Sequence, residues 1–260
     1  MKASSHLTVS LVQSDLYWEK ISDNLQQFSE KILPLKGTTD LVILPEMFTT
    51  GFSMNPKALA EKMDGQSIQW MRKTAKKVKA MLCGSLIIEE DGQYFNRMIC
   101  MHPDGQLETY DKRHLFTYAK ENEHYTAGTE RLVVNLKGWK IVPLICYDLR
   151  FPVWARNNIN YDLLVYVANW PKPRRDAWKS LLIGRAIENQ AYTIGVNRTG
   201  EDGTGALYKG DSSLVDYAGE VLLRASENEG VFTSTISYEK QQAFRKKLNF
   251  LADQDIFEIK

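Results

Sequence analysis

Cysteine is scarce in this chain. There are three in 260 residues, Cys83, Cys100 and Cys146, with no CxxC pair and no Cys/His cluster. Such a set excludes a disulfide framework, which needs dense and paired cysteines, and a thiolate zinc site, which needs clustered ones. A reducing cytoplasm is the expected setting. An excess of charge is also missing: 33 Lys and Arg against 32 Asp and Glu leave a formal net charge of +1. Neither nucleic acid nor a membrane surface is therefore an expected partner, since both select strongly basic faces. No apolar run approaches the roughly 20 residues that span a bilayer. The opening Met1-Lys-Ala-Ser-Ser-His6 has no apolar signal core. Low-complexity segments, flexible linkers and internal repeats of solenoid period are absent too, so one domain over 1–260 is expected.

What is present is ordinary for a globular protein: 43% hydrophobic and 25% charged residues, enough to bury a core without staples. Apolar residues close to alternation predict a strand over 7–13. Trp18, Ile21, Leu25, Phe28 and Ile32 recur at helical spacing and predict an amphipathic helix over 17–33. The run Asp40-Leu-Val-Ile-Leu-Pro45 reads as a strand covered on both faces. Loop is expected over 47–64, a helix over 67–80, and strands over 80–88, 94–102 and 106–110 with Asp-Gly turns between them. After a polar, irregular stretch over 115–129 come a hairpin (132–136 and 139–145), a short helix over 152–157 and a buried strand over 163–168. A helix over 176–190 follows, with Leu181, Leu182, Ile183 and Ile187 on its apolar side. Strands over 192–197, 214–216, 221–223 and 231–236, a turn-rich loop over 200–210, a charged helix over 238–247 and a tail over 249–260 complete the chain. Strands and helices alternate, which predicts α/β architecture.

Three reactive side chains fall at the C-terminal ends of predicted strands, where α/β sheets place their ligands. Glu46 follows Pro45. Lys112 follows the strand that ends at Tyr110. Cys146 ends the run Trp139 to Ile145 and is followed at once by Tyr147, Asp148 and Arg150, unusual company for a core cysteine. A thiol attacks a carbonyl carbon well only as thiolate. A carboxylate within reach can take its proton. A lysine ammonium can lower the thiol pKa and stabilise the oxyanion of a tetrahedral intermediate. Glu46, Lys112 and Cys146 are thus a sufficient set for acyl transfer without metal or cofactor. Each residue alone has a plainer reading: a loop acid, a solvated charge cluster, an inert buried thiol like Cys83 and Cys100.

At these residues the sequence resembles a known family. Leu44-Pro-Glu46, Tyr110-Asp-Lys-Arg-His-Leu-Phe116 and Ile145-Cys-Tyr-Asp-Leu-Arg-Phe-Pro152 are similar, in order, to the three signatures of the nitrilase, or carbon–nitrogen hydrolase, superfamily. The resemblance implies a four-layer αββα sandwich and a Glu-Lys-Cys triad. By it, Glu46 is the general base, Lys112 supports the tetrahedral intermediate and Cys146 is the nucleophile. The backbone N–H of Tyr147 then completes the oxyanion hole. Amidases of the family often carry a second glutamate between lysine and cysteine. In Lys120-Glu-Asn-Glu-His-Tyr-Thr-Ala-Gly128 that position falls to Glu121, with Glu123 the alternative.

Phe48-Thr-Thr-Gly-Phe52, Val167-Ala-Asn-Trp-Pro171 and Arg185-Ala-Ile-Glu-Asn-Gln190 further resemble the bacterial omega-amidases. That branch implies hydrolysis of the terminal amide of 2-oxoglutaramate or 2-oxosuccinamate through a cysteine thioester. Such substrates carry a carboxylate far from the scissile amide, and Arg150 can clamp one bidentately. The competing role for Arg150 is an internal salt bridge with Asp148 or Glu188. Trp170 is expected to wall the substrate, helped by Phe52 or Tyr118. Pro171-Lys-Pro-Arg-Arg175 reads as a solvated basic loop rather than a second anion site. The alternatives are another amidase of the family, such as an N-carbamoyl amino-acid hydrolase or a deaminated-glutathione amidase, or a scaffold that keeps the fold without turnover. The family usually pairs, and Phe250, Leu251, Ile256, Phe257 and Ile259 make the tail apolar enough to cross onto a second copy. A homodimer is expected.

Overall fold

Strict alternation builds the first sheet. In β1 (His6–Gln13), Leu7, Val9 and Leu11 enter one core while Val12 enters another. Strands β2 (Leu41–Ile43), β3 (Met81–Glu90), β4 (Gln93–Met101) and β5 (Leu107–Asp111) divide their side chains in the same way. Met81, Cys83, Met98 and Cys100 face inward, and Leu82, Leu86, Ile99 and Met101 face outward. Period-2 patterning with both faces apolar requires a covering layer on each side. The computed structural model supplies both. It describes residues 3–259; Met1 and Lys2 of the opening segment and Lys260 of the tail lie outside the described residues.

A second sheet packs on the inward face. Its strands are β6 (Val134–Leu136), β7 (Trp139–Ile145), β8 (Leu163–Ala168), β9 (Tyr192–Asn197), β12 (Ser213–Val215) and β13 (Val221–Arg224). The order is β13-β12-β9-β8-β7-β6; the first sheet runs β14-β1-β2-β3-β4-β5, where β14 is Gly230–Ser237. Between β9 and β12 in sequence, β10 (Thr199–Glu201) and β11 (Leu207–Lys209) form a separate two-stranded hairpin. Helices α1 (Ile21–Ile32) and α3 (Gln66–Val78) cover the outer face of the first sheet. Helix α5 (Arg175–Asn189) covers the second, where Gly195 of β9 lets Trp178 and Leu182 approach so closely that an added Cβ would sit 2.5 Å from the indole. The result is the expected αββα sandwich. Helices α2 (Pro56–Leu59), α4 (Pro152–Ala155) and α6 (Tyr238–Lys247) are peripheral.

The departures from the sequence expectation have local causes. Helix α1 starts at Ile21 rather than at residue 17, because Glu19 takes a positive φ of 55° and the Asn24 side chain closes a turn by donating to the Tyr17 carbonyl at 2.7 Å. In α5 the buried stripe is Trp178, Leu182, Arg185, Ala186 and Asn189, and Ile187 is 52% exposed. Arg185 fits that stripe because its guanidinium donates to the Leu149 carbonyl at 2.6 Å and pairs with Glu188 at 2.9 Å. The loop expected over 47–64 contains α2, and the one over 200–210 contains the hairpin β10–β11.

Strand direction brings the reactive ends together. β2 runs parallel to β3, and β5 points the same way after two antiparallel reversals through β4. β7, β8 and β9 are mutually parallel. Glu46 lies beyond β2, Lys112 beyond β5, Cys146 beyond β7 and Asn169 beyond β8. All four meet at one cavity.

Candidate active site

The nucleophile turn is built by backbone strain and one carboxylate. Cys146 directly follows β7 with a φ of 43°, in the left-handed region, and opens a 3₁₀ turn over Cys146–Arg150. A non-glycine residue is held there only where its surroundings over-determine it. Asp148 is the fastener: its Oδ2 accepts the Ile145 N–H at 3.0 Å and the Tyr110 hydroxyl at 2.7 Å. Its Oδ1 accepts the His114 backbone N–H at 3.0 Å and contacts His114 Nδ1 at 2.8 Å. Cys146 is left half-buried on the wall of a cavity of about 580 Å³.

Glu46 and Lys112 are buried on that same wall, 0% and 1% exposed. The Lys112 ammonium donates to Glu46 Oε1 at 2.9 Å and to both oxygens of Glu121, at 3.0 and 2.9 Å. Burial works against the lysine charge, but Glu121 and then Glu46 outweigh it, and the pKa of Lys112 rises above the ordinary lysine range. Glu46 is gripped from its other side by Asn169, whose backbone N–H donates to Oε2 at 2.8 Å and whose side-chain amide donates to the Glu46 carbonyl at 2.7 Å. Asn96 donates to Glu46 Oε1 at 2.8 Å and to Glu121 Oε1 at 3.2 Å. Two carboxylates and one ammonium are thus fixed with hydrogen bonds on every side, as a buried ionic cluster requires.

Sequence reasoning offered Glu121 or Glu123; the structure brings Glu121 to Lys112 and leaves Glu123 exposed beside Lys120 at 3.8 Å. Burial pushes the Glu121 carboxyl up, Lys112 opposes, and the charge of Glu46 adds to the rise. The thiol differs from expectation. Lys112 does pull the Cys146 pKa down, but burial first, and then the charge of Glu46, push it up by more. The resting pair is therefore a neutral thiol beside a carboxylate, which suits transfer of the proton during attack.

Tyr147, Arg150 and Trp170 line the cavity as expected, as do Phe52 and Tyr118. Arg150 forms neither of the internal salt bridges considered for it. Asp148 is filled by Tyr110, His114 and Ile145, and Glu188 pairs with Arg185. The Arg150 guanidinium instead lies over the Trp170 ring, 4.9 Å from its centroid. The basic loop is split in use: Arg175 turns away to Asp211 at 2.9 Å, whereas Lys172 and Arg174 line the cavity. Sequence reasoning assigned no role to Asn96, Asn169 or Asp148. Asn96 carried a signal, as a polar residue amid the buried run of β4, and so did Asn169, placed directly after buried β8.

The profile of the Carbon-nitrogen hydrolase family matches residues 8–246. The chain is 41% identical over 254 residues to "Omega-amidase YafV" of Escherichia coli (strain K12), covering 97% of this chain and 98% of that one. It is 35% identical to "2-oxoglutaramate amidase" of Bacillus subtilis (strain 168), covering 95% and 96% of the two chains. The crystal structure of XC1258 from Xanthomonas campestris, a CN-hydrolase superfamily protein with an arsenic adduct in its active site, superposes with a TM-score of 0.96 at 42% identity, covering 99% of this chain and 100% of that one. The chain belongs to the carbon-nitrogen hydrolase family of the nitrilase superfamily, on the branch that holds these omega-amidases.

Proposed function

We propose that the chain is an omega-amidase that hydrolyses the terminal amide of 2-oxoglutaramate or 2-oxosuccinamate to the 2-oxo dicarboxylate and ammonia. Near full-length similarity to an omega-amidase and a 2-oxoglutaramate amidase supports the reaction. The observation that carries the site assignment is the meeting of three strand-end residues on one cavity, with the Lys112 ammonium 2.9 Å from the Glu46 carboxylate.

In the first step Cys146 Sγ attacks the amide carbon while Glu46 takes the thiol proton. The carbonyl oxygen becomes an oxyanion, stabilised by the Lys112 ammonium and the Tyr147 backbone N–H. Glu46 returns the proton to the amide nitrogen, the C–N bond breaks, ammonia leaves and a thioester remains. Water, deprotonated by Glu46 with Glu121 helping to place it, then attacks the thioester. The C–S bond breaks and the thiol regains its proton. Glu121 also holds Lys112, so that the ammonium points at one place. Arg150 takes the distal carboxylate and Trp170 walls the substrate.

The chain works as one domain over 1–260, pairs with a second copy and acts in the cytoplasm, a reducing setting that suits its three free cysteines. Phe250 and Ile256 of the tail, 60% and 103% exposed, support the pairing. No helix among the described residues is long and apolar enough to cross a membrane.

Ammonia release from 2-oxoglutaramate, glutamine and carbamoyl-β-alanine, assayed side by side, tests the function. Preference for 2-oxoglutaramate is expected; preference for the carbamoyl substrate would move the chain to another branch.

A further inference from the structure

The rim of the cavity carries more positive charge than one arginine. Arg150, Lys172 and Arg174 all line it, and none has a carboxylate partner among the described residues. The acids that line the cavity are already engaged. Glu46 is held by Lys112 and Asn169. Asp202 accepts from Thr204 at 2.8 Å and from the Tyr208 hydroxyl at 2.7 Å.

Aromatic rings hold the two guanidiniums in place of acids. Arg150 lies 4.9 Å from the Trp170 centroid. Arg174 lies 5.2 Å from the Phe116 centroid and 6.0 Å from that of Tyr118. The two supports are themselves joined. The Trp170 indole N–H donates to the Arg174 carbonyl at 2.8 Å, and Phe116 packs edge-on against Tyr147 at 5.0 Å. Tyr147 and Arg150 share the short turn that starts at Cys146. Tyr147, Phe116, Arg174, Trp170 and Arg150, all lining the cavity, are thus linked in a ring that the turn itself closes. A guanidinium stacked on a π-face is restrained yet keeps its hydrogen-bond donors free. Two such groups on one rim, without an internal counter-ion, are built for an anion.

We propose that Arg174 is a specificity-determining residue that grips the carboxylate at the far end of the substrate together with Arg150, so that the cavity selects amides bearing a distal negative charge. The substrate class rests on the omega-amidase reading above; the anion grip itself rests on the ring. The basic loop read from sequence as a solvated face is in this view divided, with Arg174 serving the cavity and Arg175 the surface.

The test is calorimetric binding to the Cys146→Ala enzyme, which cannot turn over. The probes are 2-oxoglutaramate and 4-oxopentanamide, its analogue with a methyl group in place of the carboxylate. Adding Arg174→Gln is expected to cut the preference for the anion at least tenfold, and Arg174→Lys to recover part of it. The loss on combining Arg174→Gln with Arg150→Gln is expected to differ from the product of the single losses, as for two groups on one ligand. An unchanged preference in folded Arg174→Gln protein, or losses that simply multiply, overturns the shared grip. Wild-type ammonia release is scored separately. If the wild type ignores 2-oxoglutaramate but hydrolyses another anionic amide, the omega-amidase reading fails and Arg174 is judged by the same preference on that amide. If the Cys146→Ala enzyme binds charged and uncharged amides alike, the grip fails and the ammonia result stands.

Discussion

Tyr110 donates its hydroxyl to Asp148 Oδ2 at 2.7 Å, and that one oxygen also accepts the Ile145 N–H at 3.0 Å. The strand that delivers Lys112 is thereby tied to the turn that delivers Cys146. His114, two residues past the lysine, is bound to the other oxygen of the same carboxylate. Donors from two sheets converge on a fully buried acid. Asp148→Asn puts an N–H₂ group where those donors point and is expected to cost about 2–3 kcal/mol, in the range for orphaned buried partners of a charged group. Tyr110→Phe removes one of those donors and also the acceptor of the Arg113 N–H and the Trp154 indole N–H, and is expected to cost about 1.5–2 kcal/mol. Urea denaturation ranks the two, and kcat is expected to fall in the same order as the oxyanion geometry loosens.

The strained backbone at Cys146 separates two ways of removing the nucleophile. Cys146→Ala keeps a Cβ at a φ of 43°. Cys146→Gly relieves the left-handed conformation, which costs a non-glycine residue about 1–3 kcal/mol, less roughly 0.5–1 kcal/mol of added chain entropy. Both variants are expected to fold and to release no ammonia, with the glycine form melting at the higher temperature. Full activity in Cys146→Ala would remove the cysteine from the mechanism.

Glu46 raises the pKa of the thiol it serves. Replacing it with glutamine removes a negative charge beside Cys146, so the thiol becomes more acidic and its reaction with iodoacetamide moves to lower pH. Turnover is expected to fall at least 10²-fold, the lower end for loss of a positioned acid–base group. Easier alkylation with lost catalysis is the signature of a base; parallel loss of both would make Glu46 structural instead.

Lys112 is the sole cation contacting Glu46 and Glu121 among the described residues. Lys112→Met leaves two buried carboxylates without it, and the expected loss is about 3–5 kcal/mol, as for breaking a buried ion pair from one side. The sign of the pH dependence follows from the raised pKa of Lys112. As pH rises, the unfolded lysine loses its proton first, so the stabilisation is full below the ordinary value of 10.5 and fades above it. The stability gap between wild type and Lys112→Met is expected to narrow above that pH in urea titrations.

The elements of the fold were legible because alternation and helical spacing are local. β8, β9 and α6 fall where the pattern places them, since their patterns and bounding turns agree. The misplaced start of α1 shows the limit: the apolar spacing continues back to Trp18, but Asn24 binds Tyr17 and Thr49, and the second of those lies in another loop. The unexpected arginine on the buried stripe of α5 depends likewise on a carbonyl, Leu149, that only folding brings near.

The sequence by itself determined which residues can do the chemistry: a thiol, a carboxylate and an ammonium, each just past a strand, because strand ends follow from local pattern. Tertiary structure decided how they work. It chose Glu121 over Glu123 by burying one and exposing the other. It held the Cys146 thiol neutral rather than ionised, since burial and the Glu46 charge outweigh Lys112. It set Arg150 over Trp170 rather than in a salt bridge with Asp148 or Glu188, and turned Arg174 of the basic loop onto Phe116. Protonation and pairing are set by distance, desolvation and the sum of neighbouring charges, and those neighbours come from strands far apart in the chain.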